Sequence, residues 1–337
     1  ALTASYNYLI MGTIGATFFV IGVGFLYMAT GTLNMADLAD RIENQYDSRT
    51  VRAAFAFIMV GMGLKVAIFP LHLWLPNAYT YAPSAITSFL AATATKVAIY
   101  VMLRFLFSVF QPGFLAEVPT LDLVLYPFAI LAMFAASYTA ILQRDLKRML
   151  AYSSIGQVGY MLLGVALLSK SGLMATMIHL FNHGITKAAL FMGVGVYVLN
   201  GGGSFYHNLR GRGKTMPWTS AAMVVAGLSL IGVPGTAGFL SKWLLVEATL
   251  EQGLWPIALL IVASSLLAVI YVWKLIETLY LAQPAEGLQD QNVPLMMMIP
   301  LWVMALACIY FGFDTDITLS AARSAAEGLL AGSAGMR

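Results

Sequence analysis

The chain alternates between long apolar runs and short polar connections, and each run is about the ~20 residues that a helix needs to cross a bilayer. On that basis nine helical spans are predicted, near 5–29, 53–75, 84–110, 120–142, 150–168, 172–199, 217–250 (with a break), 255–281 and 294–313. The only sizeable polar connections are 31–52, 200–216 and 282–293. An odd number of spans places the two termini on opposite sides, and no stretch is left over for a water-soluble domain.

Two runs do not read as plain spans. In GMGLKVAIFPLHLWLP, residues 61–76, Lys65 sits among apolar residues, and Pro70 then breaks the segment just before His72 and Trp74. In LIGVPGTAGFLSKWLLV, residues 230–246, Gly232, Pro234, Gly235 and Gly238 interrupt the helix and Lys242 follows. A proline removes a backbone donor and frees the carbonyl one turn earlier, and inside a membrane both must find protein or water. An ammonium in the same place is tolerated where it faces a protein interior or a wet cavity. Two Gly/Pro-interrupted spans, each with one Lys, therefore point to a transporter built from structural repeats around an ion path. The plainer alternative, that Pro and Gly only kink membrane helices, does not account for a Lys at both breaks.

The other intramembrane ionisable groups lie between the breaks. Lys96 is flanked by small residues in ATATKVAIYVMLRF; it joins the path or snorkels to an interface. Arg104, near the same helix's end, reads as a snorkelling residue. In MIHLFNHGITKAALFMG, His179, His183 and Lys187 are four residues apart and share one helical stripe. Two His and a cationic Lys, with no carboxylate or Cys nearby, make a poor zinc shell; a proton relay suits them better. Carboxylates are scarce: Glu247 lies just beyond Lys242, and Glu277 close to Lys274, where each reads as an interfacial ion pair as readily as a relay member. Asp145, in the loop QRDLKRM, is expected to be a structural junction first. Secondary candidates are thus His72, Asp145 and Glu247.

Composition narrows the function classes. The chain is 60% hydrophobic and 10% charged, against about a quarter charged in soluble domains, so it is a polytopic membrane protein in contact with the lipid bilayer. A scattered net charge of +3 gives no footprint for nucleic acid. The single Cys308 excludes an intramolecular disulfide and a cysteine metal cluster. No nucleophile–base pair, phosphate loop, cofactor motif or metal shell is present, so catalysis by this chain alone has no support. Basic residues fall into two groups: Arg144, Lys147, Arg148, Arg210, Arg212 and Lys214 on one side, and Arg41, Arg49, Arg52, Arg104, Lys170, Arg323 and Arg337 on the other. The first group crowds into two short loops and is expected to be cytoplasmic. The sequence opens at Ala1 almost directly on a span, with no cleavable signal, as a fragment or truncated chain would.

Burial disfavours the charged form of an amine, and neighbouring charges adjust the balance. A row of Lys65, Lys96, His179, His183, Lys187 and Lys242, joined by water, would move a proton sideways between two half-channels. Repulsion between adjacent ammonium groups would expel one proton as the next arrives.

Six ordered segments, TGTLNMADLADRI, GLKVAIFPLHLWLPNAY, FLAATATKVAIYVMLRF, QRDLKRMLAYSSIGQVGYM, HLFNHGITKAALFMG and GVPGTAGFLSKW, resemble the antiporter-like membrane subunits shared by respiratory complex I, membrane-bound hydrogenases and Mrp cation/proton antiporters, with the D-type Mrp subunit and its relatives the nearest in look. The resemblance covers nearly the whole chain. It implies an all-α bundle of about fourteen helices with two inverted five-helix repeats, each with one discontinuous helix, around an axis of Lys, His and Glu. Lys65 and Lys242 match the lysines of the two broken helices, Lys96 the connecting lysine, and His179, His183 and Lys187 the central relay. Five family helices would precede residue 1, one of them carrying the Glu that partners the lysine at position 65. Residues 1–110 would be the last part of the first repeat, 111–282 the second repeat, and 283–337 a C-terminal helix and tail.

The resemblance implies a proton-translocating subunit of a multisubunit complex in a bacterial inner membrane. A Na+/H+ antiporter of Mrp type comes first; a proton-pumping subunit of an NADH-quinone oxidoreductase or hydrogenase, that is, a translocase subunit, is the alternative. A second alternative is a membrane subunit coupling proton flux to a partner enzyme such as one hydrating carbon dioxide. A bundle whose lysines merely snorkel is a third. Because the interior offers nitrogen bases and sodium prefers oxygen ligands, the chain itself is expected to carry protons.

Overall fold

The computed structural model describes residues 1–118, 120–201, 203–283 and 293–331, and these are helical with no named strand among them. The helices are α1 (Leu2–Thr30), α2 (Met35–Ile42), α3 (Arg49–Val66), α4 (Trp74–Tyr81), α5 (Ser84–Leu103), α6 (Gln111–Glu117), α7 (Thr120–Leu131), α8 (Ser137–Leu142), α9 (Leu146–Ala166), α10 (Lys170–Leu199), α11 (Tyr206–Leu209), α12 (Arg212–Thr215), α13 (Pro217–Ile231), α14 (Ala237–Glu251), α15 (Trp255–Ile276), α16 (Leu295–Phe313) and α17 (Asp316–Leu330). Single π-turns extend α5 through Arg104–Val109, join α7 to α8 through Ala132–Ala136 and extend α15 through Glu277–Leu281. Part of the predicted loop 282–293 lies outside the described residues.

Six uninterrupted helices have the length and hydropathy of a membrane span: Leu2–Thr30, Ser84–Val109, Val124–Leu142, Leu146–Ala166, Trp255–Leu281 and Leu295–Phe313. The other three predicted spans depart from the simple pattern for physical reasons. The 53–75 and 217–250 runs are each two half-helices. The 172–199 run is one 30-residue helix, α10, whose apolar character is diluted by its own His, Asn and Lys. Beyond the nine, the structure adds α17, an amphipathic helix outside the spans that buries Ala322, Ala326 and Leu329.

Helices α9 and α10 form the centre. Helix α9 is buried along nearly its whole length, its Ser153, Ser154 and Gln157 included. Gly159 makes that possible: a Cβ there would stand 2.7 Å from the Ala129 carbonyl oxygen of α7. Around this pair, α5, α13, α14 and α16 pack on α10, while α7, α8 and α15 close over α9. The outer faces of α1, α15 and α16 expose Leu9, Val20, Leu259, Leu266, Leu295 and Ile299, as lipid-facing helices do.

Hydrogen bonds group the connections into two ends, as the basic residues had suggested. At one end the Asp145 loop is stitched to residues 204–206 by Leu146 N–H to Ser204 O (2.7 Å) and Tyr206 N–H to Arg144 O (3.1 Å). Gly211 N–H reaches Thr278 O there (3.0 Å), and Lys147 Nζ reaches Ala82 O (3.1 Å). At the other, Gln252 Nε2 donates to Leu167 O (2.7 Å), Ser171 Oγ donates to Glu251 (2.5 Å), and Lys170 pairs with Glu327 of α17 (2.5 Å).

Candidate functional site

The helix break between α13 and α14 builds the first part of the site. Gly232, at φ +90°, caps α13 in the left-handed region, taking its amide back to Leu228 O and Ser229 O as a C-terminal glycine does. The chain then turns through Pro234 and Gly235, and α14 departs so close to α13 that Gly238 has no room for a Cβ. The carbonyls of Leu230 and Ile231, left without helical donors, are taken by Lys242: Nζ lies 3.2 Å and 2.8 Å from them. A cation at a helix C-terminus meets the negative end of the helix dipole, so the break and the lysine are one device. The Lys242 ammonium also lies over the Tyr160 ring of α9, 4.9 Å from its centroid.

Helix α10 supplies the next members. His179, His183 and Lys187 share its inward stripe and are all buried, Lys187 completely. His179 Nδ1 meets Ser241 Oγ at 2.7 Å, which ties it to the residue beside Lys242. The two imidazoles stack nearly parallel, 6.1 Å apart. His179 Nε2, both nitrogens of His183 and Asn182 Oδ1 have no hydrogen-bond partner among the described residues, leaving their bonding capacity to water. Lys187 crosses to α9, donating to Leu150 O (2.8 Å) and Ser153 Oγ (2.5 Å). Side chains on α9, α10 and α14 thus form one buried polar seam from Lys242 through His179 and His183 to Lys187. No group of three or more His, Cys, Asp or Glu able to hold a metal occurs among the described residues.

Lys96 and Lys65 are placed differently. Lys96 is half-buried on α5, donates to the carbonyl of Ala91, and lines a groove of about 1080 Å³ between α5, α10 and α16 with Phe89, Phe181, Met177 and Met304. Lys65 is exposed among the described residues. Its ammonium lies against Gly12 of α1, in a groove of about 430 Å³ with Tyr8, Thr13 and Trp74, and makes no hydrogen bond or ion pair among the described residues. The reason lies in the break after α3: Ala67, at φ +62°, caps that helix, and Trp74 Nε1 takes the Leu64 carbonyl at 2.8 Å, so the freed backbone is satisfied without the lysine.

Of the secondary candidates, His72 is buried within that break and stacked on Phe69 at 5.1 Å, with Nδ1 unpartnered; Pro70 follows Phe69 through a cis peptide. Asp145 lies in the loop, where its carboxylate caps α9 through Arg148 N–H (2.9 Å) and accepts from Ser204 Oγ (2.5 Å); this is the structural junction that its loop position predicted. Glu247 is exposed and forms no ion pair with Lys242 among the described residues. Lys274 likewise passes over Glu277 and donates to Ile141 O and Gln143 O (2.9 and 2.8 Å). Hydroxyls at Ser153, Ser229, Ser241 and Tyr160 and the amide of Asn182 were not singled out by sequence. Only Asn182, between the two histidines, carried a signal there.

Residues 1–268 match the family described as NADH:quinone oxidoreductase/Mrp antiporter, transmembrane. The chain belongs to that family. It is 39% identical to NADH-quinone oxidoreductase subunit N of Desulforudis audaxviator over 95% of its own length and 66% of the relative. Against the D-type subunit of the Na(+)/H(+) antiporter of Alkalihalophilus pseudofirmus it is 30% identical over 94% of its length and 63% of the relative. The fold superimposes with a TM-score of 0.89 on a chain of the membrane-bound sulfane sulfur reductase, an archaeal respiratory membrane complex, at 33% identity, covering 99% of this chain and 67% of that one. The chain spans about two thirds of the length of these proteins. It is an antiporter-like, multi-pass integral membrane chain with the all-α fold that its hydropathy predicted.

Proposed function

We propose that this chain is a proton-translocating subunit of a multisubunit membrane complex in a bacterial inner membrane, moving protons along the seam Lys242, His179, His183 and Lys187 and on toward Lys96. The observation that carries the reading is the seam itself. Four ionisable groups of two residue types are buried together, on two helices packed against a third, with imidazole nitrogens left free for water. Buried bases without carboxylate partners have little value for stability and much for passing a proton.

Lys65 belongs to the same path on the family pattern, its groove beside α1 being the place for a carboxylate counter-ion. Residues 1–110 and 111–282 then correspond to the end of one repeat and the whole of the next, and the basic Asp145 end faces the cytoplasm. As for the complex, the higher identity with the oxidoreductase subunit N than with the antiporter's D-type subunit (39% against 30%) favours a redox-driven pump of NADH-quinone oxidoreductase type over the Mrp antiporter that the sequence motifs first suggest.

The test is proton uptake by membrane vesicles containing the assembled complex, started by NADH in one set and by a sodium gradient in another. Lys242→Ala and Lys187→Ala should each slow uptake by about a hundredfold, the scale of one positioned proton-transfer group. Wild-type rates in both variants would refute the proton path. Uptake driven by sodium and not by NADH would assign the antiporter instead.

A further inference from the structure

Tyr160 touches two members of the seam, and the proton path does not use it. It is 2% exposed, its ring faces both Lys242 (4.9 Å) and His179 (centroids 5.8 Å apart), and its hydroxyl reaches across to α15, 2.7 Å from Ser264 Oγ and 3.2 Å from Ser265 Oγ. Both serines donate their own protons to Ile261 O, each at 3.0 Å. The partners of the Tyr160 hydroxyl thus lie on α15, on the far side of the ring from Lys242. What Tyr160 offers the lysine is therefore the face of its ring.

Lys242 is fixed on its other side. Two of its three N–H donors are directed at the Leu230 and Ile231 carbonyls, so the ammonium is held between the carbonyl end of one half-helix and the negative face of an aromatic ring. Such a contact strengthens when it is desolvated, as this one is.

We infer that Tyr160 is a positioning residue for proton transfer: the face of its buried ring holds the Lys242 ammonium at the α13–α14 break, beside His179. The inference rests on the proton-path reading above and adds a residue to it. It requires an electron-rich ring at position 160 and no proton from it.

The test places phenylalanine and then mono-, di- and trifluorophenylalanine at position 160 of the assembled complex, with vesicle proton uptake normalised to the amount of complex. Fluorine withdraws charge from the ring face with little change in size. Tyr160→Phe should stay within about twofold of wild type, and uptake should then fall stepwise to about tenfold lower with the trifluoro ring. Lys242→Ala serves as the companion variant. A flat fluorine series with Lys242→Ala inactive overturns the role of Tyr160 and leaves the proton path standing. Lys242→Ala at full rate overturns the path itself. A protein that merely needs packing at this position gives the flat series.

Discussion

Replacing Gly238 by alanine tests whether the α13–α14 break is the device described above. A Cβ at this position would lie 1.8 Å from the carbonyl oxygen of Ser229 and 2.9 Å from its carbon. Ordinary contact begins near 3.4 Å, so the two half-helices must separate by roughly 1.6 Å (3.4 less 1.8). The obstruction is backbone, which cannot swing aside as a side chain can. That separation exceeds the slack in the contacts spanning the break, Gly238 N–H to Ser229 Oγ at 3.3 Å and Lys242 Nζ to Leu230 O at 3.2 Å. Overpacking of this kind costs about 1–3 kcal/mol, and leaving one buried carbonyl unmet adds about 1–3 kcal/mol. The assay is thermal inactivation of the detergent-solubilised complex, with proton uptake measured in parallel. The midpoint should drop by several degrees and uptake should fall with it, whereas Gly24→Ala, with nothing within 4 Å of its Cβ, should leave both unchanged. If Gly238→Ala matched Gly24→Ala in both readings, the close crossing would not be what holds Lys242 in place.

Other expectations follow from single contacts. Asp145→Ala removes the α9 cap and the acceptor for Ser204, and should destabilise the complex by about 0.5–2 kcal/mol with no change in uptake per assembled complex. Asp145→Asn, which keeps an acceptor oxygen for the cap, should recover most of that stability. Lys170 beside Glu327 holds that carboxyl below the usual carboxylate range. A carboxylate depressed in the folded state contributes stability above its unfolded pKa and loses it as pH falls through the folded one. Both partners are about half exposed, so solvent and salt screen the pair: Glu327→Gln should leave the thermal midpoint at neutral pH unmoved, and a clear loss there that salt does not erase would show α17 to be anchored more firmly than this pair allows. Lys187→Met should slow uptake as far as Lys187→Ala does while costing little stability, because Ser153 and Ser154 still donate to Leu150 O (2.9 and 3.0 Å); a collapse of the assembled complex would count against a transport role.

The sequence is informative wherever backbone chemistry decides the outcome. Pro70 and the Gly232, Pro234, Gly235, Gly238 cluster mark both discontinuous helices, because a missing amide donor and positive φ values are properties of the residues themselves. The stripe of His179, His183 and Lys187 follows from helical spacing alone. Burial was less legible, since it depends on which neighbours a helix face meets. Lys65 and Lys242 look equivalent in the sequence, each a lone cation at a break, yet one is exposed and the other enclosed. The hydroxyl partners were hidden for a related reason: a membrane Ser or Thr usually bonds its own helix, as Thr93 and Thr139 do here. Ser153 and Ser241 also bond their own helices, and nothing local shows that they meet Lys187 and His179 across the interface as well. The π-turns at Arg104–Val109, Ala132–Ala136 and Glu277–Leu281 leave no compositional trace at all.

The difference between the two breaks bears directly on how such a path can work. At the first, Lys65 precedes the break, and the Leu64 carbonyl beside it is held by the Trp74 indole; its ammonium is left facing a groove. At the second, Lys242 follows the break and reaches back to the two carbonyls that the break exposes. A lysine bound to backbone dipoles inside its own fold has its surroundings fixed by this chain, whereas a lysine in an open groove takes its electrostatic surroundings from whatever lies against it. On the proposed path the two lysines are therefore not interchangeable. The Lys242 end should respond to substitutions within α9, α13 and α14, and the Lys65 end to whatever carboxylate or helix is brought against α1 and α3.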